Sequence, residues 1–452
     1  MKIIIGGLGK IGRSILESFV REGHDVVAID SDPEVIEEIS NIYDVMCVCG
    51  NCADTEILEE AHAKSSDLFV AVSGSDELNM LSCFVAKKMG TEHTIARIRK
   101  PEYNDDSLTF LRQHLALQMA INPEMLTARE LYNILKLPSA VKIEYFSRRG
   151  VEMIELRLKD ESLLDGVRLM DLKKKFGVRL LVCVVRRGDK VYIPDGNFEL
   201  KSKDKIGLTG SHSEIQKFLK ALGMLHKQSK NVIILGGSKT AFYLAKMLLA
   251  SGASVKIIEK DPERCDELSD MLPKATIIQG DGAQQELLLE EGIRSADAFV
   301  SLTGMDEENI LISIYAAAND VPKVVSKVNR RELANMAENL GLDTIVSPKN
   351  ITSDILVRYA RAIENSMGSN VETLYSIMDG RAEALEFKVH PASNIIGIPL
   401  KLLNFKKDII IAAIIRGGKV IVPGGDDEIM ENDKVIVIAA DQRLNDISDI
   451  IR

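Results

Sequence analysis

Gly7, Gly9 and Gly12 stand in the spacing G-x-G-x-x-G, and Asp30 follows 18 positions after the last of them. Residues of these types at this spacing suit the binding of an adenine dinucleotide. Gly7 permits a tight strand-to-helix turn, Gly9 lacks the Cβ that would keep a pyrophosphate off the backbone, and Gly12 lets the helix lie close to the strand. The helix start offers unpaired N–H groups and a partial positive charge to phosphate. Asp30 can accept hydrogen bonds from an adenosine ribose. Further along, Asn51 can hydrogen-bond adenine or ribose, Ser73 and Gly74 open a loop followed by Asp76 and Asn79, and Arg97 can reach a phosphate. A surface salt bridge is the alternative role for Arg97, and helix capping is the alternative for Ser73 and Asp76.

For these residues to meet, each must stand at the carboxyl end of a strand in a parallel sheet. Apolar runs at 2–6, 25–30, 45–49, 68–73 and 94–98 read as such strands. Helical periodicity lies between them, as in Ile11, Ile15, Phe19 and Val20. The series predicts a doubly wound, parallel α/β sheet. A helical segment at 125–137 leads into a smaller strand-rich part, with strands at 141–146, 152–158, 180–186, 191–193 and 205–209. There Ile154, Leu156 and Leu158 alternate with Glu155 and Arg157, which predicts a sheet with one covered face.

The pattern then repeats. At an offset of 229, Gly7 meets Gly236 and Asp30 meets Glu259; at 230, Ser73-Gly74-Ser75-Asp76-Glu77 meets Thr303-Gly304-Met305-Asp306-Glu307, and Arg97 meets Lys327. The small part repeats as well: Arg187-Gly188 returns as Arg416-Gly417, and Asp204-Lys205 as Asp433-Lys434. The expected architecture is tandem Rossmann-like doubly wound sheets, each followed by a small α+β module. Its expected divisions are 1–136, 137–223, a linker at 224–230, 231–366 and 367–452. The second turn carries Ser238 and Ala241 where the first has Gly9 and Gly12, Lys260 stands beside Glu259, and Asn329 replaces Arg99. The second site is therefore expected to be weaker, altered in ligand, or empty.

The chain has 452 residues and a net charge of −10. That length suggests several domains, and the acidic balance argues against nucleic acid as a partner. No apolar run approaches the roughly 20 residues of a membrane span, and Met1 leads directly into a strand, so a cytoplasmic chain is expected. Of six cysteines, Cys47, Cys49 and Cys52 cluster, but no fourth ligand follows at zinc-site spacing; they read as buried small hydrophobes. The seven histidines are scattered and read as surface or loop residues. The acidic run Asp426-Asp427-Glu428 with Glu431 and Asp433 reads as a solvated turn rather than an ion site. No metal site and no catalytic residue are expected. A soluble NAD-dependent oxidoreductase is the alternative, but it would need a substrate domain with a proton donor aimed at the nicotinamide.

The stretch MKIIIGGLGKIG, Asp30, the Gly50-Asn51 pair, VAVSGSDELNM and IARIRKPEY resemble the regulator-of-potassium-conductance (RCK) fold, in the two-copy form of the TrkA family. The resemblance covers the whole chain. It implies a non-enzymatic regulatory subunit of a Trk-type potassium uptake system, peripheral on the inner face of the cell membrane. It also implies a tetrameric ring under a channel-like membrane subunit, gated by NAD(H) or ATP/ADP. By the same resemblance Gly7, Leu8, Gly9, Lys10 and Ile11 contact the pyrophosphate. Asp30 then takes the ribose, Asn51 the adenosine side, Ser73 and Gly74 form the loop after the fourth strand, and Arg97 meets the phosphates. Members of the family often carry Asp where this chain has Asn51.

Overall fold

The chain is described from a computed structural model. The structure describes residues 1–100, 103, 110–111, 114–115, 117–136, 142–146, 151–160, 162–224, 229–366, 371–378, 380–391, 393–440, 442, 444 and 446–452. Residues 225–228 of the expected linker, and the expected boundaries at 137 and 367, lie outside them.

The first Rossmann-like sheet is built from β1 (Lys2–Gly6), α1 (Lys10–Arg21), β2 (Asp25–Asp30), α2 (Pro33–Ile42), β3 (Met46–Cys49), α3 (Thr55–Glu60), β4 (Leu68–Ala71), α4 (Asp76–Met89), β5 (His93–Arg97) and β6 (Met119–Ile121). Its strand order is β3-β2-β1-β4-β5-β6, all parallel. Ile3, Ile4 and Ile5 are fully buried because both faces of the sheet carry helices. The three-residue strand β6 is too short to register as a run of its own in the sequence. Helix α5 (Pro123–Lys136) then leads to the first module: β7 (Lys142–Phe146), β8 (Val151–Arg157), α6 (Leu172–Phe176), β9 (Leu181–Arg187), β10 (Lys190–Tyr192), β11 (Lys205–Gly210) and α7 (His212–Ala221). Its sheet runs β10-β9-β11-β8-β7 and is antiparallel.

The second unit repeats this plan. Its Rossmann-like part contains β12 (Asn231–Leu235), α8 (Lys239–Ala250), β13 (Ser254–Glu259), α9 (Pro262–Met271), β14 (Thr276–Gln279), α10 (Gln285–Glu290), β15 (Ala298–Ser301), α11 (Asp306–Ala318), β16 (Lys323–Lys327), α12 (Arg331–Asn339) and β17 (Ile345–Val346). Then come α13 (Pro348–Ser366), β18 (Val371–Ile377), β19 (Ala382–Lys388), β20 (Ile409–Arg416), β21 (Lys419–Ile421) and β22 (Lys434–Ala440). The sheet orders match those of the first unit, β14-β13-β12-β15-β16-β17 and β18-β19-β22-β20-β21.

The two units exchange their long helices. Leu356 and Ala360 of α13 are fully buried in the core of the first Rossmann sheet, beside Ile3, Ile15, Leu16 and Phe19. Ala128, Leu131 and Leu135 of α5 are buried in the second, beside Val232, Leu244 and Leu248. The two contacts differ in chemistry. The α5–α8 contact is apolar, with the Tyr243 hydroxyl 3.2 Å from Asn122 Nδ2. The α1–α13 contact adds the Ser14–Ser353 hydroxyl pair at 3.0 Å and the Arg361–Glu22 ion pair. A charged cavity of about 600 Å³ opens beside it.

Three expectations need correction. The module sheets have two covered faces. One face of each holds its own core, around Phe218 in the first and Ile447 in the second. The other faces pack module against module through Met153, Val184, Ile377, Ala384, Ile436 and Ile438. The polar positions of β8 therefore sit inside: Glu155 is 2% exposed, accepts the Met378 N–H at 2.9 Å and lies 2.8 Å from Lys205 Nζ. Cys49 is exposed and Cys47 half-buried, because β3 is an edge strand; Cys52 is buried as expected. His24 is buried rather than superficial, packed edge-on against Phe19.

Candidate functional site

The carboxyl ends of β1, β2, β4 and β5 form one edge, and it gathers the predicted residues. Gly7 has φ +97°, and a Cβ there would lie 2.7 Å from the Ser73 backbone, so the first turn rests against the loop after β4. A Cβ on Gly12 would lie 1.9 Å from the Gly7 carbonyl oxygen. Around Gly9 a Cβ would meet nothing within 4 Å, leaving an open approach to the backbone. Gly9 is the N-cap of α1 and supplies no side-chain cap, so the first helical N–H groups, from Lys10 and Ile11 onward, remain available to an anion. Leu8 contributes only backbone, since its side chain is fully buried.

Asp30 belongs to the turn itself. One carboxylate oxygen accepts the Leu8 N–H at 2.6 Å, and the other accepts the Asp32 N–H at 3.0 Å. A carboxylate has about four acceptor directions, so a ribose hydroxyl can still be accommodated. Asn51 is exposed and turns its Oδ1 back to the Ala53 N–H at 3.0 Å. The Gly50 N–H donates to the Asp30 carbonyl at 2.8 Å, which sets Asn51 beside Asp30.

Arg97 is buried behind the loop after β4 rather than in the surface ion pair of its alternative role. It is 9% exposed, its guanidinium donates to the Ser73 carbonyl, and its Nε has no partner among the described residues. Burial, reinforced by Arg99, lowers its pKa from the usual arginine value. A buried cation with an unsatisfied donor behind the Ser73 loop fits a site that receives an anion.

The repeated D-E-x-N phrase proves to be a clamp. Ser75 is the helix cap, accepting the Leu78 N–H. Asn79, fully buried, accepts from Ser73 N–H and Oγ at 2.7 Å and donates to the Arg97 carbonyl at 2.9 Å. Asp76 accepts the Arg99 and Lys100 N–H groups at 2.8 Å. Asn309 and Asp306 do the same for Thr303, Lys327, Asn329 and Arg330. The phrase therefore ties the ends of the fourth and fifth strands together in both units.

At the second turn a cleft of about 430 Å³ is lined by Gly236, Ser238, Glu259, Asp281 and Thr303, among others. Ser238 caps α8, its Oγ accepting the Ala241 N–H at 3.3 Å, so one helical donor is already used. Glu259 accepts the N–H groups of Gly237, Lys260 and Asp261. It is thus the backbone of Lys260, not its ammonium, that engages Glu259.

Residues that sequence reasoning missed are Arg13, whose Nε donates to the Leu8 carbonyl at 3.0 Å, and Arg264, whose Nε donates to the Gly237 carbonyl at 2.6 Å. The signal for Arg13 was its place next to Gly12; for Arg264 there was none. No group of three or more His, Cys, Asp or Glu able to hold a metal occurs among the described residues. No helix of the described residues is long and apolar enough to cross a membrane.

Comparison with known proteins agrees with this architecture. The TrkA-N domain matches residues 3–123 and 232–348, and the TrkA-C domain matches 153–223 and 384–452. The chain is 32% identical to a "Trk system potassium uptake protein TrkA homolog" of Archaeoglobus fulgidus, covering all of both chains. It is 32% identical to homolog 1 of Methanosarcina mazei over 97% of each. It is 29% identical to the Trk system potassium uptake protein TrkA of Haemophilus influenzae, covering 98% of this chain and 96% of that one. Among solved structures, the GsuK RCK domain has a TM-score of 0.63 at 16% identity, covering 97% of this chain and 92% of its own. The GsuK channel bound to NAD has a TM-score of 0.63 at 15% identity, covering 97% of this chain and 77% of its own. With both domain types matched twice and relatives aligned end to end, the chain belongs to the TrkA family.

Proposed function

We propose that this protein is a regulatory subunit of a Trk-type potassium uptake system, in which an adenine nucleotide at the first turn controls ion conduction by a membrane partner. The observation that carries the reading is the double duty of α1. Its N-terminus is the anion-accepting end of the turn, and its far end is gripped by Arg361 of the second unit. A ligand that shifts α1 acts on both units at once, and it drives gating to the extent that it binds one arrangement more tightly than the other.

Gly7, Leu8, Gly9, Lys10 and Ile11 would hold the phosphates by backbone donors, Asp30 the ribose and Asn51 the adenosine side. Ser73 and Gly74 would form the wall, with Arg97 as the buried countercharge. NAD(H) and ATP/ADP share these parts. A ring of four chains on the inner face of the membrane, without catalytic turnover, completes the proposal. An oxidoreductase is disfavoured because the relatives aligned along the whole chain are named potassium uptake proteins.

The test is co-purification with a Trk-type membrane subunit, followed by potassium flux in vesicles with ATP, ADP, NAD and NADH in turn. A nucleotide-dependent change in flux is expected. Nucleotide-dependent redox turnover by the isolated chain, with flux unaltered by all four ligands, would overturn the reading.

A further inference from the structure

The two arginines on the turns make the same bond from different places. Arg13 lies on α1 and donates to the carbonyl of Leu8. Its equivalent by the 229 offset is Phe242, which cannot do so. Instead Arg264, on α9, donates to the carbonyl of Gly237, the residue equivalent to Leu8. The position equivalent to Arg264 in the first unit is Val35. A packing feature inherited by both copies would keep its sequence position. Here the position changed and the bonded atom did not, so the carbonyl is what the fold holds.

The carbonyl matters because of what lies on the other side of its peptide. In a trans peptide the C=O and the next N–H point in opposite directions. Holding the Leu8 oxygen therefore aims the Gly9 N–H away from Arg13, and holding the Gly237 oxygen aims the Ser238 N–H likewise. A turned peptide would present a carbonyl oxygen, which repels phosphate, where a donor is needed. Such a turn changes ψ of the first residue and φ of the second. It costs little at Leu8–Gly9, where Gly9 tolerates either sign of φ, and more at Gly237–Ser238, where Ser238 would leave its φ of −62° for positive φ. The peptide just before each is also pinned, by Asp30 on the Leu8 N–H and Glu259 on the Gly237 N–H. Each arginine is braced in turn, Arg13 by Glu38 at 2.5 Å and Arg264 by Glu267 at 2.7 Å.

We infer that Arg13 and Arg264 are positioning residues that keep the Leu8–Gly9 and Gly237–Ser238 peptides oriented with their N–H groups towards a ligand phosphate. For ligand binding this rests on the nucleotide reading of the first turn given above.

The experiment uses the full chain and two ligands, ADP and adenosine, by titration calorimetry. In Arg13→Ala, ADP affinity should fall about tenfold, the loss of one charge-assisted orientation, while adenosine affinity changes less than twofold. Equal weakening of both ligands would mean that Arg13 only maintains the domain, and would overturn the inference. Wild-type protein that binds neither ligand would instead overturn the nucleotide reading. The peptide claim is decided separately by ligand-free crystal structures of Arg13→Ala and Arg264→Ala. The carbonyl of Leu8 or Gly237 should then be turned or present in two orientations. A single, unturned carbonyl in either variant overturns the role of that arginine.

Discussion

The guanidinium of Arg361 lies 2.6 and 2.8 Å from the two carboxylate oxygens of Glu22, joining the second unit's last long helix to the end of the first unit's first helix. It also meets Glu383 at 2.7 and 2.9 Å. The pair is largely shielded from water, with side chains 7% and 14% exposed. Removing one member of a buried pair strands the other. Arg361→Ala should therefore destabilise the chain by about 3 kcal/mol in urea unfolding. The double variant with Glu22→Ala should cost less than the sum of the two single changes. Strict additivity would mean that the contact contributes nothing to the joint.

The two turns invite an exchange. Gly9→Ser imports the second unit's cap and should stabilise α1 by roughly 0.3 kcal/mol, while weakening ADP binding because a donor is consumed and the approach is narrowed. Stability and affinity should move in opposite directions, as read by thermal unfolding and calorimetry on one preparation. Gly12→Ala should lower both, since its Cβ would fall 1.9 Å from the Gly7 oxygen.

Asp30→Ala removes the acceptor of the Leu8 N–H and the proposed ribose partner, and Arg97→Ala removes the buried guanidinium proposed to meet the phosphates. Each should weaken NADH and ATP by roughly tenfold or more, the scale of a charge-assisted hydrogen bond, with the fold retained by circular dichroism. Unchanged calorimetric affinity for both ligands in both variants would remove these residues from the site.

Lys323 is buried and donates to Thr344 Oγ1 at 2.8 Å. Burial lowers its ammonium from 10.5 to about 7; Asp343 opposes the shift and Lys159 adds to it. Between those values the folded chain holds fewer protons at this site than the unfolded chain. Its contribution to stability therefore rises with pH across the window, by at most about 1.4 kcal/mol per unit. Lys323→Met should flatten that rise in urea midpoints taken at pH 7, 8 and 9. Parallel curves for the variant and the wild type would refute the assignment.

The exchanged helices predict that the units are not independent. A fragment of residues 1–224 lacks Leu356 and Ala360, which cover the first sheet. It should aggregate or self-associate, and should be rescued by mixing with residues 229–452 during refolding. A stable monomer of the first fragment in size-exclusion chromatography would contradict this.

Much of the fold was legible because local signals agreed. The apolar runs at β1, β2, β4 and β5 and the glycines at the first turn predict the same parallel sheet from two directions. The Arg187 and Asp204 repeat also has a local cause: Arg187 holds Asp204 at 2.8 Å, and Arg416 holds Asp433 at 2.9 and 2.7 Å. Less legible was the D-E-x-N phrase, whose clamp spans two strands and so looks, in one dimension, like a helix cap.

By itself the sequence determined the strand and helix order, the two-fold repeat, the geometry-bearing glycines and the acid at position 30, because each depends on contacts within one βαβ unit. Only the tertiary structure decided what covers each surface. The alternation around Glu155 promised a face towards water, but the opposing module supplies both an N–H donor and a steric cover. The apolar faces of α5 and α13 fit either sheet as far as periodicity goes, and the crossing to the other unit is set by chain geometry. The arginine on each turn follows the same rule: a hydrogen bond to a carbonyl needs only a donor within reach, and reach is a property of the folded chain.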